Sequence, residues 1–280
     1  MSRFDQLLGT DFDDRPVADT DEVIYGGLDD SRHRARVPGL TEMMSDPAAP
    51  ARERFLACLA LTTWGEPAGY ETLIRAAGSP AATPWYEVLV NRKFAVDSTF
   101  AQLAIAVGDS ADLAEEKRTA GQREAAFRAL VRIADTEYFE DQLGDLMPEA
   151  MVALVLPDLA ETVERGVNFL VPQAHTHPAP HAHPHAHPHP DSDSDRKPPA
   201  FDLATQLVDL AGAAALVDGP LAAKLAMTVL EAEASPRALV HAVTVLHRSK
   251  APDVRQLGEY MMSVGDDRVR NLVTDALRSS

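Results

Sequence analysis

Apolar side chains recur along most of this chain at intervals of three and four residues. The clearest case is the C-terminal stretch RVRNLVTDALRSS, whose apolar positions are Val269, Leu272, Val273, Ala276 and Leu277. This spacing places them along one stripe of a helix with 3.6 residues per turn. The two-residue alternation of a half-buried strand is not sustained anywhere, and no Asn-Gly or Asp-Gly pair stands between two such stretches. The pattern therefore predicts an all-α protein.

Four more helices are predicted before this one, in the stretches FDLATQLVDLAGAAALV, GPLAAKLAMTVLEAEA, SPRALVHAVTVLHRSK and APDVRQLGEYMMSVG. In the third stretch, Ser235 suits the N-cap and Pro236 suits the first helical position. The short connections favour antiparallel neighbours that stack in series. Residues 200–280 are therefore predicted to form a C-terminal helical block.

Residues 21–172 show the same pattern and are predicted to form an N-terminal helical block. One helix pair is expected in residues 45–78, where the sequence Gly-Glu-Pro separates the two helices. A second pair is expected in residues 121–147, and its second helix is predicted to run through Phe139 and Leu143.

Several of these segments share an aspartate in a turn, an arginine early in a helix, and an Ala/Leu-rich buried face. The matching residues are Asp46 with Arg52, Arg123, and Asp267 with Arg268 or Arg270, in the segments 45–78, 121–147 and 235–278. This arrangement resembles the HEAT family of α-helical repeats, whose period is about 40 residues. The resemblance implies a stacked solenoid whose concave face holds a partner, usually another protein. An irregular helical bundle is the alternative, since the stretch from Trp85 to Val107 does not form a clear helix pair.

The stretch HTHPAPHAHPHAHPHP interrupts the helical pattern. It contains seven of the ten histidines, which are the candidate metal ligands: His175, His177, His181, His183, His185, His187 and His189. Neutral imidazoles bind Ni²⁺, Zn²⁺ and Cu²⁺, but a structural zinc site needs four ligands held in place by packed neighbours. Because this stretch has no packing residues, we predict weak nickel or zinc binding there and no required cofactor. Residues 173–199 are interpreted as a His/Pro/Asp-rich linker between the two blocks.

Charge restricts the class of partner. The chain has 26 Lys and Arg against 43 Asp and Glu, which gives a formal net charge of −17. Such a field repels phosphate groups, so nucleic acid and anionic membranes are not expected as partners. Residues 1–20 are rich in aspartate and poor in apolar positions, and are predicted to be an acidic, flexible arm. The charge favours a basic protein as the partner.

Residues 136–164 contain no Lys or Arg. Their eight acids are predicted to form the partner-binding surface: Glu137, Glu140, Asp141, Asp145, Glu149, Asp158, Glu161 and Glu164. If consecutive repeats present these residues on one side, they form a negative groove that complements a basic partner. The alternative interpretation is an ordinary solvated helical face.

Sequence signatures of common enzyme classes are missing. We find no GxxxxGK phosphate loop, GxGxxG dinucleotide motif, HExxH zinc motif, CxxC pair or GxSxG nucleophile motif. The only cysteine, Cys58, lies in an apolar helical run without a neighbouring His or Asp, and is interpreted as a small buried apolar residue. A single cysteine, together with the lack of a signal peptide or spanning segment, predicts a cytoplasmic protein.

These observations predict a non-catalytic helical-repeat protein that binds another protein through its acidic surface, as an adaptor, regulator or inhibitor. The first alternative is a nickel- or zinc-handling accessory protein that uses the His-rich tract. The second alternative is a lyase-like or maturation enzyme on a HEAT-like scaffold.

Overall fold

The computed structural model of the chain describes residues 2–91, 96–171 and 200–279. Within these ranges the chain forms fourteen α-helices that pack against one another. Strand structure in the described residues is confined to an antiparallel pair, β1 (Val90–Asn91) with β2 (Val96–Asp97), and a bridge between Thr10 and Pro16. The predicted all-α class is therefore confirmed.

The helices follow one another through mostly short connections. Their bounds are α1 (Arg3–Leu8), α2 (Thr20–Asp29), α3 (His33–Ser45), α4 (Ala51–Thr63), α5 (Pro67–Ala77), a 3₁₀ turn (Pro80–Ala82), α6 (Thr99–Asp109), α7 (Ala111–Glu116), α8 (Ala120–Val131), α9 (Glu149–Leu170), α10 (Leu203–Ala214), α11 (Gly219–Ala232), α12 (Pro236–Arg248), α13 (Pro252–Val264) and α14 (Asp267–Ser279). Among the helices of the described residues, none combines the length and apolar character that crossing a lipid bilayer requires.

In the C-terminal part of the chain, alternate helices contact each other in succession. The helices α10, α12 and α14 form one row, and α9, α11 and α13 form a second row that packs against the first. Each helix buries the apolar stripe that its sequence predicts; in α12, Leu239, Val243 and Leu246 are buried. Ser235 caps α12, because its side chain accepts a hydrogen bond from Ala238 N. Local periodicity and capping thus predict this part of the fold well.

The N-terminal part is built around α4, which is enclosed by its neighbours. Every residue from Phe55 to Thr63 is buried, because α2, α3, α5 and α6 pack around the helix. The ring of Trp85 lies between Phe55 and Phe100, with ring centroids 5.7 and 6.1 Å apart. Cys58 belongs to this core, and burial raises the pKa of its thiol to about 12. Its interpretation as a buried apolar residue is therefore confirmed.

Residues 132–148, which we call the α8–α9 loop, connect α8 to α9 without forming an α-helix. The predicted helix through Phe139 and Leu143 is therefore wrong. Both side chains are buried, as the apolar pattern indicated, but the backbone around them runs through successive turns. Glu140 and Asp141 have φ angles of 56° and 54° in the left-handed region, which a right-handed helix does not contain.

A glutamine of α10 holds the α8–α9 loop in place. The Gln206 Oε1 accepts a hydrogen bond from Phe139 N at 2.7 Å. The Nε2 of the same side chain donates to Ala134 O at 2.5 Å and to Glu137 O at 2.8 Å. Because Gln206 is fully buried, these bonds satisfy backbone groups that water does not reach.

Two buried aspartates fix the loop further. Asp209 Oδ2 accepts a hydrogen bond from Gly144 N at 2.7 Å, and a Cβ on Gly144 would lie only 2.6 Å from Asp209 O. Asp135 accepts hydrogen bonds from Arg165 of α9 at 2.6 and 2.8 Å. Residues from both predicted blocks are therefore in direct contact. The predicted linker 173–199 lies outside the described residues, and the division into blocks stays a prediction.

The described part of residues 1–20, predicted as a flexible acidic arm, contains α1 and, in residues 9–19, a turn that contacts α3. Arg36 of α3 donates to Leu7 O at 2.8 Å and to Thr10 O at 2.7 Å. Its guanidinium also lies 4.5 Å from the centre of the Phe12 ring, and Leu8 is fully buried. Arg36 of α3 thus holds this acidic segment against α3.

Candidate functional site

The eight acids of the predicted partner-binding surface fall into two groups. Those in the α8–α9 loop are Glu137, Glu140, Asp141 and Asp145, and those on α9 are Glu149, Asp158, Glu161 and Glu164. The exposed members are Asp145, Glu149, Glu161 and Glu164, the partly buried ones are Glu137, Glu140 and Asp158, and Asp141 is buried. The eight residues therefore do not form one uniformly exposed surface.

Two acids of the loop are paired with arginines of α12. Arg237 Nη2 lies 2.5 Å from Asp141 Oδ2, and Arg248 Nη2 lies 2.7 Å from Asp145 Oδ1. Burial raises the pKa of Asp141, while the positive charge of Arg237 acts in the opposite direction. These ion pairs connect the loop to a helix about a hundred positions further along the chain.

On α9, the carboxylate of Asp158 faces α8. It lies 3.0 Å from Arg128 Nε and 2.6 Å from Arg132 Nη2, and only 11% of its side chain is exposed. Residues 136–164 contain no Lys or Arg, but arginines from α8 and α12 form ion pairs with three of their eight acids. The structure removes Asp141 and Asp158 from the set that a partner can contact freely.

Glu137 lies in a different environment, beside Tyr86 and the β1–β2 pair. Burial raises the pKa of Glu137 to about 7, and the negative charges of Asp97 and Glu87 raise it as well, while a hydrogen bond with Tyr86 lowers it. Burial also raises the pKa of Tyr86, to about 12. At neutral pH Glu137 is therefore only partly ionised and adds less than a full negative charge to the surface.

The exposed residues of α9 recur every three or four positions and form one stripe along the helix. This stripe, which we call the outer face of α9, consists of Ala150, Ala153, Leu154, Pro157, Glu161, Glu164 and Asn168. Its first half is apolar, and its second half contains two acids and Asn168. Leu154 is 49% exposed and is the one leucine among the exposed large apolar residues of the described chain. At a rise of 1.5 Å per residue, Glu161 and Glu164 lie about 10 and 15 Å along the helix from it.

A largely buried polar cluster that no sequence pattern indicated lies where α3, α4 and α7 meet. Lys117 Nζ lies 2.8 Å from His33 Nε2 and donates to Trp64 O at 2.7 Å and to Glu66 Oε1 at 2.5 Å. Burial lowers the pKa of His33, and the charge of Lys117 lowers it further, so the neutral ring accepts at Nε2. The ammonium group has three partners, so the cluster ties the helices together. No local pattern reveals it, because His33 and Lys117 are 84 positions apart.

The predicted metal ligands, His175 to His189, lie outside the described residues. Metal binding by this tract, and the nickel- or zinc-handling alternative that depends on it, stay predictions. Across residues 2–91, 96–171 and 200–279, no group of three or more His, Cys, Asp or Glu side chains is arranged to hold a metal ion.

Comparison with protein-family models, with curated proteins and with solved structures finds no match for this chain. The function is therefore inferred from the chain's own residues.

Proposed function

We propose that this chain is a non-catalytic, HEAT-like helical-repeat protein that binds a protein partner at the outer face of α9. The observation that carries the proposal is the combination of Leu154 with Glu161 and Glu164 on one exposed helix face. The two rows of alternating helices support the repeat architecture, since stacked helix pairs place every second helix in contact.

The chemistry of this face describes its partner. Leu154 is 49% exposed, and full burial of a leucine contributes roughly 1.5–3 kcal/mol, so a partner that covers it gains free energy. Glu164 is exposed, and Glu161 is 76% exposed with its nearest arginine 3.9 Å away. Both carboxylates are available to Lys or Arg of a partner. The expected partner is a basic segment whose apolar side chain packs on Leu154.

Site-specific crosslinking tests this proposal. Leu154 is replaced by the photo-activated residue p-benzoylphenylalanine in the full-length chain, which is then irradiated in its native cells. We expect one predominant protein adduct, whose crosslinked peptide is basic. The matched control is the same replacement at Val264, which is 46% exposed on α13 and which we expect to give no such adduct.

Charge reversal separates this face from the overall acidity of the chain. The double variant Glu161→Lys with Glu164→Lys is expected to remove the adduct at position 154. The variant Asp253→Lys with Glu259→Lys changes the net charge equally at exposed positions of α13 and is expected to leave the adduct in place. The proposal fails if position 154 gives no adduct, or if both double variants weaken it to the same extent.

A further inference from the structure

A cavity of about 420 Å³ opens where α3 and α5 end and α4 begins. Because α4 and α5 are consecutive packed helices, the first turns of α4 lie next to the last turn of α5. Arg54 and Arg75 therefore both line the cavity. Four hydroxyl side chains, among them Thr72 and Ser79, line it as well, and the buried Trp85 borders it.

The lining contains no Asp or Glu. This composition is unusual for a chain that contains 43 acidic and 26 basic residues. The two arginines are thus the only charged side chains of the lining, and its walls add no carboxylate that would compete for them.

The two guanidinium groups are available to a ligand. Arg54 donates through Nε to Met44 O at 3.2 Å, and its terminal nitrogens have no hydrogen-bond or ion-pair partner in the described residues. Arg75 is exposed and likewise forms no ion pair within the ranges that the structure covers. By contrast, Arg36 binds backbone carbonyls of the N-terminal segment, and Arg128 binds Asp158.

We propose that this cavity binds a small organic phosphate monoester. Guanidinium groups hold phosphate oxygens through paired, charge-assisted hydrogen bonds. Two guanidinium groups match the two negative charges of a phosphate monoester better than the single charge of a carboxylate ligand. The hydroxyl side chains supply further donors, and the exposed Ala82 and Pro84 supply apolar surface for the carbon body. The volume lies in the range of sites for small ligands. This site is separate from the outer face of α9 and does not depend on the proposed partner.

The two tryptophans of the chain provide a direct measurement. Trp85 lines the cavity and Trp64 does not, so their indole ¹⁵N–¹H signals separate a local effect from a global one. The full-length protein is titrated with phenyl phosphate at fixed pH and ionic strength, and the signals are assigned with the Trp85→Phe variant. We expect a saturable shift of the Trp85 signal and no shift of the Trp64 signal.

Two variants with the same charge change complete the test. Arg75→Glu is expected to weaken phenyl phosphate binding at least tenfold, whereas Arg268→Glu, at an exposed position of α14, is expected to leave it unchanged. Phenol and inorganic phosphate are titrated in parallel and are each expected to bind at least tenfold more weakly than the ester.

The proposal is overturned by any of four results. These are the absence of a saturable Trp85 shift, an equal loss of affinity in both variants, equal binding of phenol, or equal binding of inorganic phosphate. If the two arginines only neutralise the carbonyl ends of α3 and α5, the first of these results is expected.

Discussion

The α8–α9 loop and the helices α12 to α14 bury apolar residues by different means. In α12 to α14, residues such as Leu239 and Leu257 are buried along regular stripes, and each helix satisfies its own backbone. In the loop, Phe139 and Leu143 are equally buried, but the backbone depends on Gln206 and other distant side chains for its hydrogen bonds.

This difference shows which part of an apolar pattern is informative. Burial follows from side-chain chemistry in both regions, because Phe and Leu leave water in either backbone conformation. The backbone conformation around them follows from where its N–H and C=O groups find partners. In the loop those partners belong to α10, which begins more than fifty residues after the loop ends. The comparison can be tested by removing each kind of support in turn.

The largest effect is expected from Gln206→Leu. Leucine has a similar volume, but it leaves Phe139 N and the carbonyls of Ala134 and Glu137 without their partner. At about 1–3 kcal/mol for each buried unsatisfied group, we expect the free energy of unfolding to fall by about 4 kcal/mol. Urea unfolding measures the loss, and amide hydrogen exchange should increase first in residues 133–147.

Gln142→Ala is the matched control, because Gln142 is an exposed glutamine of the same loop. We expect this substitution to change stability by less than about 0.5 kcal/mol. If Gln206→Leu is equally harmless, the burial of Phe139 and Leu143 alone holds the loop, and the contrast between the two regions is lost.

A somewhat smaller loss, about 3 kcal/mol, is expected from Leu257→Ala in α13. Leu257 is fully buried in the C-terminal helices, so the substitution removes apolar contacts and leaves a cavity without unpairing any polar group. Urea unfolding should show the loss, with the exposed neighbour Gln256→Ala as the control. If hydrogen exchange shows that the α8–α9 loop opens first in this variant, then apolar packing in α13 and the hydrogen bonds of the loop do not act separately.

The smallest effect, and one of opposite sign, is expected from Asp209→Asn. Burial raises the pKa of Asp209 to about 8, although the hydrogen bond from Gly144 N lowers it. Because this value lies above the pKa of 3.8 in the unfolded chain, the group stabilises the fold at low pH, and its contribution is lost as the pH rises towards 8. Asparagine cannot ionise but still accepts from Gly144 N. We therefore expect the variant to be more stable than the parent by about 1–2 kcal/mol at pH 8.

Urea unfolding between pH 5 and pH 9 measures this dependence. The parent should lose stability as the pH rises, and Asp209→Asn should lose less. Part of the slope should remain, since Glu137 also titrates with a raised pKa, at about 7. Glu259→Gln, at an exposed position of α13, should keep the full slope of the parent. A parallel pH profile for Asp209→Asn would show that Asp209 is ionised in the folded protein.

The sequence by itself determined the helical class, the buried stripes of α12 to α14, the cap at Ser235 and the buried state of Cys58. Each of these depends on residues within a few positions of one another, so local spacing contains the information.

Long-range contacts determine which acids stay free and why the segment around Phe139 and Leu143 is not helical. Asp141 and Asp158 have arginine partners from α12 and α8, and the α8–α9 loop has its hydrogen-bond partners on α10. The cluster of His33 with Lys117 likewise depends on elements that are distant in the chain. Coulombic and hydrogen-bond energies depend on the distance between two groups in space. For residues that are far apart in the chain, sequence separation does not give this distance.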